Sequence, residues 1–202
     1  EHTLDFLDYF EPRIDEYNQL LTTNKIFIER SADVGVMPLE VAINYGVTGP
    51  SLRASGTDMD LRKTEPYSIY NKFDFDVPVG EGLMGTVGDC WDRYYVRVLE
   101  IKESVKILRQ ALPKIPAGDV HAALPKKIRP KSGEVYSRYE CARGDVGFYI
   151  RSNGKNIPTR VKMRSPAYCN LSVLNEISSG WMISDVITIL GSLDIVLGEI
   201  DR

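Results

Sequence analysis

A chain of 202 residues, 43% hydrophobic and 26% charged, is sized and composed for one substantial globular domain with room for a small appendage. Its net charge of -3 and pI near 5.5 lack the basic footprint of a nucleic-acid binder, so no nucleic-acid partner is expected. Cys90, Cys141 and Cys169 are odd in number, far apart and never in a C-x-x-C arrangement; this argues against a disulfide framework or a sequence-local metal site and fits a reducing compartment.

Glu1 to Phe10 is acidic and amphipathic rather than basic and then apolar, so no secretory signal is read there. Leu4, Leu7, Phe10, Ile14, Tyr17 and Leu21 recur in steps of three and four and mark one face of a helix. Pro12 is expected to kink that helix or to start a second segment after Glu11, with Thr3 or Asp5 as N-cap. "MPLEVAINYG", Met37 to Gly46, reads as a short helix with Pro near its first turn and Gly as its stop. Thr48 to Pro66 reads as a long loop, and loops of that length are usually functional or disordered. Within the glycine-rich Phe73 to Asp89, "GEGLMG" bears a superficial likeness to a dinucleotide fingerprint but lacks the strand and helix that such a motif needs around it.

Asp89 opens the clearest helix. Tyr94, Val98, Ile101, Val105, Leu108 and Leu112 form an apolar stripe for core packing, Asp89 caps it with Asp92 at N3, and Pro113 ends it. Pro113 to Ser132 is a Pro-rich linker, and its basic "PKKIRPK" reads as a solvated loop. Gly133 to Arg164 is rich in Val, Tyr, Phe and Ile, is cut by "RGD" and "SNGK", and reads as a three-stranded antiparallel meander. Two helices follow, one from about Tyr168 to Ser178 closed by Gly180, the next from near Gly180 to a stop at Gly191. The most apolar stretch, Trp181 to Gly198, contains Asp185 and Asp194 and falls short of the ~20 uninterrupted apolar residues of a membrane span. The fold class is therefore α+β, predominantly α: a helical bundle with a small antiparallel meander, residues 1–132 forming a helical portion with long loops and 133–202 the sheet plus the last helices.

For chemistry, His2 and His121 have no i, i+4 partner, and no Ser stands in a G-x-S-x-G elbow, so neither a catalytic residue nor a metal ligand is assigned. Charge beside glycine is the stronger signal: Arg53 in "GPSLRASG", Asp58, Asp60, Arg62 and Lys63 in "DMDLRK", and Asp89, Asp92 and Arg93 in "GDCWDR". These are either surface turns with weak ion pairs or a buried polar framework in which every charge has a partner, and the sequence leaves both open.

The ordered set "TGPSLRASGTDMDLRKTEPY", "FDFDVPVG", "GDCWDRYYVRVLEI", "SGEVY", "RGDVGFYIRSNG", "RVKMRSP" and "SDVITILGSLDIVLGEIDR" resembles the D-type subunit of NADH:quinone oxidoreductase, respiratory complex I, a family allied to the nickel–iron hydrogenase large subunit. Glu1 falls in the middle of the family pattern, so the chain looks like a C-terminal half. The His and Tyr that face the quinone headgroup in the family lie in the other half and have no counterpart here. Met59 stands where the family usually has Trp, and "EGLMGTV" lengthens a loop. Hydrogenases carry a nickel-ligating C-x-x-C in their last segment; "SLDIVLGEIDR" has no cysteine, and without thiolates a nickel–iron centre is not expected. The resemblance instead implies a wall of the quinone cavity, with Asp194 and Val196 as quinone-binding positions and Arg53, Asp60, Arg62, Asp89, Asp92 and Arg93 as polar framework or subunit contacts. It further implies no cofactor held by this chain, quinone as substrate, and electrons arriving from a 4Fe–4S cluster in a neighbouring subunit. The implied partners are that subunit and the quinone-site membrane subunit, in the peripheral arm on the cytoplasmic face of the bacterial inner membrane. A hydrogenase-type or deazaflavin-dehydrogenase-type large subunit without a metal centre, or an interaction module with no activity of its own, are the alternatives.

Overall fold

Helix α1 (His2–Tyr17) forms because Leu7 and Ile14 fall on one face; with Leu4 and Phe10 they pack against Val98 and Val105 of the long helix α6 (Cys90–Ala111). The computed structural model describes residues 2–201. Pro12 lies inside α1 without ending it, and Thr3 and Asp5 are helical rather than capping. A proline in a helix interior costs one backbone hydrogen bond; here buried contacts on both sides of it, and the ion pairs from Arg109 to Asp8 and Glu11 at 2.8 Å each, hold the helix together. The expected apolar face stops short: Tyr17, the last residue of α1, is exposed, and the chain then widens into a π-turn at Asn18–Thr22 that rotates Leu21 off the face. Asn24 then caps α2 (Lys25–Ser31), its side chain accepting from the amides of Ile26 and Phe27.

Pro38 and Gly46 bracket α3 (Leu39–Asn44) as the sequence suggests, Gly46 taking φ 67°. The stretch read as one long loop contains two single-turn helices, α4 (Pro50–Arg53) and α5 (Leu61–Thr64). One turn is too short to display a helical period, so only burial reveals them, and every residue of α4 is buried. "GEGLMG" itself lies in neither strand nor helix and no strand leads into it among the described residues, although α6 begins shortly afterwards at Cys90. Its glycines serve close packing: a Cβ on Gly80 would lie 1.9 Å from the carbonyl oxygen of Ala54.

Asp89 caps α6 as expected, its side chain accepting from the Asp92 amide, and Pro113 sits in a 3-10 turn (Leu112–Lys114) directly after the helix. The stripe is less uniform than its pattern: Leu108 is exposed, whereas Trp91 and Val96 are buried on another face. α6 lies between two cores, one against α1, the other formed by residues including Met37, Ala42, Leu52, Cys90, Val173, Ile189 and Leu193.

The meander is present as β1 (Gly133–Cys141), β2 (Gly144–Ser152) and β3 (Arg160–Arg164), antiparallel in the order β1-β2-β3 with Glu140 opposite Asp145 and Phe148 opposite Met163. Arg143 lies in the tight β1–β2 turn. Asn153-Gly154 sits in a connection spanning 153–159, longer than the two-residue hairpin its sequence signals. The single helix expected from Tyr168 to Ser178 starts earlier and is broken at Val173 into α7 (Pro166–Ser172) and α8 (Leu174–Ser178). Ser165 caps α7 through the Tyr168 amide, and Val173 is fully buried at the bend. Helix α9 (Ile183–Leu193) runs through Gly191, the expected stop, and ends at Asp194 in the left-handed conformation (φ 51°, ψ 56°). Gly191 is exposed, and its helical conformation costs only the modest entropy of a glycine, which burial of Leu193 beyond it offsets. A last turn, α10, covers Leu197–Ile200.

Candidate functional site: an arginine-rich cleft on a buried charge framework

Gly49, at φ 71° immediately before α4, lies so close to the β1–β2 turn that a Cβ there would meet the Arg143 carbonyl oxygen at 2.5 Å. This contact sets α4 under the sheet and buries Arg53, which is 1% exposed. The Arg53 guanidinium donates from Nε to Glu100 Oε1 at 2.7 Å, and from Nη1 to Glu140 Oε1 at 2.8 Å and the Met59 carbonyl at 3.0 Å. Asp60 Oδ2 stands 3.6 Å from Arg53 Nη1 and is paired with Arg62 Nη2 at 2.6 Å, while Asp60 Oδ1 caps α5 by accepting from the Arg62 amide. Arg62 also lies over the ring of Phe75. Four elements, α4, α5, α6 and β1, thus meet through one guanidinium. Burial pushes the Glu140 carboxyl above its ordinary range against the pull of Arg53. For Asp60 burial acts in the same direction, but Arg62 and Arg53 overcome it and hold the carboxyl low.

Asp89, Asp92 and Arg93 form a second buried group at the start of α6. Asp89 accepts from the amides of Asp92 and Asp33 at 2.8 Å each and of Thr86 at 3.2 Å; Asp92 accepts from Gly82 and Gly88. Arg93 is fully buried and donates to the carbonyls of Gly88 and Gly35, to Cys90 Sγ at 3.2 Å and to Ser192 Oγ at 2.8 Å. Burial raises both carboxyls and lowers the guanidinium. This group pins the 80–88 segment and the end of α9 to α6.

The end of α9 carries Asp194 to the mouth of a cleft of about 440 Å³, lined by Arg53, Arg62, Arg97 and Arg143, the carboxylates of Glu100, Glu140 and Asp194, and Tyr70, Ile101, Ser104, Cys141 and Ala142. Arg143 donates from Nε to the Asp194 carbonyl at 3.0 Å and from Nη2 to Asp194 Oδ1 at 3.3 Å. Arg97 donates to the Ser192 carbonyl at 2.9 Å and to Ser51 Oγ at 3.1 Å, with its Nε 3.7 Å from Asp194 Oδ2. Burial lowers the Arg97 pKa to about 10, against the pull of Asp194. The structure therefore brings Asp194 together with Arg53 and Arg62 around one cleft, keeps Asp89, Asp92 and Arg93 in a separate buried group at the start of α6, and leaves Val196 outside the cleft's lining, half-buried ahead of α10. Asp58 is exposed, as are both histidines. Arg97, Glu100 and Glu140 carry no signal in the sequence, because their partners lie 46 to 95 residues away; Arg143 shows there only as part of the "RGD" that cuts the meander. Among the described residues no cluster of His, Cys, Asp and Glu is arranged to hold a metal ion, and no helix is long and apolar enough to cross a membrane.

A mainly helical chain with a three-stranded sheet, and a charged cleft resting on buried ion pairs, define the class of protein. Residues 1–202 match the family described as respiratory-chain NADH dehydrogenase, 49 Kd subunit, and the chain belongs to that family. It is similar to the D-type subunit, the one numbered 1, of the NADH-quinone oxidoreductase of Cytophaga hutchinsonii, at 52% identity over all of this chain and 54% of the relative. It is similar also to the D-type subunits of the NADH-quinone oxidoreductases of Chlorobium phaeovibrioides, at 52% over all of this chain and 52% of the relative, and of Chlorobaculum tepidum, at 52% over 98% of this chain and 50% of the relative. The chain spans about half the length of the curated relatives it matches.

Proposed function

We propose that this chain is part of the quinone-reducing module of an NADH:quinone oxidoreductase and that its cleft forms part of the quinone cavity. The observation that carries the reading is Asp194, which reaches the cleft from the end of α9 and is shared there by Arg97 and Arg143. A quinone ring is largely apolar, but its carbonyl oxygens gain negative charge and then protons on reduction. Guanidinium donors and one carboxylate at the mouth of a pocket suit that change. Electrons come from an iron–sulfur cluster in a neighbouring subunit; this chain shapes the cavity, orients the ring and tunes the charge around it. Val196, two residues beyond Asp194, contributes an apolar contact where a neighbouring subunit closes the wall. The partners are the other subunits of the peripheral arm at the cytoplasmic face of the bacterial inner membrane.

The test is Asp194→Asn in the assembled complex, comparing NADH:quinone turnover with NADH oxidation by an artificial acceptor that bypasses the quinone site. Quinone turnover alone is expected to fall, with assembly on native gels unchanged. Unaltered quinone turnover refutes the site.

An interaction role for the same chain is favoured by a separate observation. Met182, Ile183 and Ile187 on and before α9, and Leu197 on α10, are exposed, at 63%, 88%, 74% and 75%. Clustered apolar exposure of this kind marks a surface that another polypeptide covers. Self-association of the purified chain, measured by light scattering, checks it.

A further inference from the structure

The charges around the cleft do not balance evenly. At its inner end Arg53 is held by Glu100 and Glu140, and Arg62 by Asp60, so those cations are fully engaged. At the outer end two arginines, Arg97 and Arg143, share one carboxylate, Asp194, whose side chain is 40% exposed. The remaining hydrogen bonds of these arginines go to neutral groups: the carbonyls of Arg93, Ser192 and Asp194 and the Ser51 hydroxyl. Arg97 Nε is buried and, among the described residues, has no hydrogen-bond partner. A buried guanidinium N–H left without an acceptor costs free energy that an anionic oxygen recovers, and charge-assisted bonds to an oxyanion are the strongest such bonds available.

We propose that Arg97 and Arg143 form an oxyanion site at the outer end of the cleft. This rests on the quinone reading for the identity of the ligand: the oxyanion is the ring oxygen that has received electron density and not yet its proton. The ring takes two electrons, supplied by the neighbouring subunit's iron–sulfur cluster, and two protons. Each C=O becomes C–OH, and after the first proton one oxygen still carries a negative charge. Arg97 Nε–H and the Arg143 guanidinium hold that oxygen, and Asp194 shifts aside or takes the place of a second acceptor. The arrangement stabilises the charged form over the neutral one, so it acts on reduction and not on simple binding of the ring.

The experiment uses the assembled complex, in which the cavity is complete, and titration calorimetry with three probes: 2-hydroxy-1,4-naphthoquinone, ionised at neutral pH; 2-methyl-1,4-naphthoquinone, uncharged; and inorganic phosphate. The anionic naphthoquinone is expected to bind about tenfold more tightly than the neutral one, the size of effect one charge-assisted hydrogen bond supplies. That preference is expected to vanish in Arg97→Gln and in Arg143→Gln and to survive in part in Arg143→Lys, the anionic probe losing far more affinity than the neutral one, whose carbonyls accept only the weaker, uncharged hydrogen bonds. Circular dichroism and melting curves establish that each variant is folded. Equal affinity for the two naphthoquinones, or a preference that persists in both Gln variants, overturns the proposal. Arginine-dependent phosphate binding with neither naphthoquinone bound upholds the oxyanion site and sinks the quinone reading. Binding of the neutral ring alone upholds the quinone reading and sinks the oxyanion site, and no binding of any probe overturns both.

Discussion

Replacing Arg53 by leucine removes the one cation that Glu100, Glu140 and Asp60 approach together. Arg53 is 1% exposed, the Glu140 side chain 5% and Asp60 0%, so no water replaces the lost donors. Breaking a buried pair by deleting one partner costs about 3–5 kcal/mol, because the other charge stays behind without compensation. Asp60 keeps Arg62, and Glu100 is the most exposed of the three acids at 17%, so the expected loss falls mainly on Glu140 and is about 3 kcal/mol, at the lower end of the range. In a chain of this length that corresponds to a melting temperature lower by roughly 6–12 °C. The loss depends on pH with a definite sign. Burial already holds the Glu140 carboxyl above its ordinary value, and removing Arg53 leaves burial less opposed. A carboxyl whose folded pKa lies above its unfolded one contributes stability at low pH that is lost as pH rises through the folded value. The deficit of Arg53→Leu is therefore expected to be largest near neutral pH and to shrink in mild acid, where Glu140 is protonated and needs no cation. Urea unfolding of both proteins across that window measures it, with Arg53→Lys expected to fall in between because it keeps the charge but not the two-pronged donor. A deficit below about 1 kcal/mol, or one that stays constant or grows in acid, refutes the claim that Arg53 is the hub of a buried framework.

Asp89→Asn leaves an NH₂ group facing two amide donors, those of Asp33 and Thr86, or turns away from Asp92, and is expected to cost about 1–3 kcal/mol by urea unfolding. Gly49→Ala adds strain at φ 71° and drives a methyl into the Arg143 carbonyl; it is expected to lower the melting temperature and, by displacing the β1–β2 turn, to weaken anion binding in the cleft by calorimetry. Ile187→Lys, on the exposed face of α9, is expected to change stability by less than about 0.5 kcal/mol while reducing self-association seen in light scattering.

Local signals located most elements. Asp89 at a cap with apolar residues following, Pro38 and Gly46 around a short helix, and alternating Val, Tyr and Phe in the meander each encode backbone geometry within a few residues. The misreadings fall where local and distant forces compete. Pro12 and Gly191 both disfavour a helix locally, yet α1 runs through Pro12 because Leu7 and Ile14 are buried against α6, and α9 runs through Gly191 to bury Leu193. Val173, an ordinary helix residue by its neighbours, marks a break because its side chain is drawn fully into the core.

The site divides along the same line. From sequence alone Asp194 emerged through resemblance to a family, and Arg53, Asp60, Arg62, Asp89, Asp92 and Arg93 through their density beside turns, with surface and buried readings both open. Only the tertiary structure decided that Arg53, Asp60, Asp89, Asp92 and Arg93 are buried while Arg62 and Asp194 stay partly exposed, that Arg53 serves acids on three different elements, and that Arg97 and Arg143 share the carboxylate of Asp194. The reason is physical: a cap or a turn depends on residues within one helical turn, whereas the partner of a buried charge is whatever the fold brings within 4.0 Å, and between Arg53 and Glu140 that separation is 87 residues of chain.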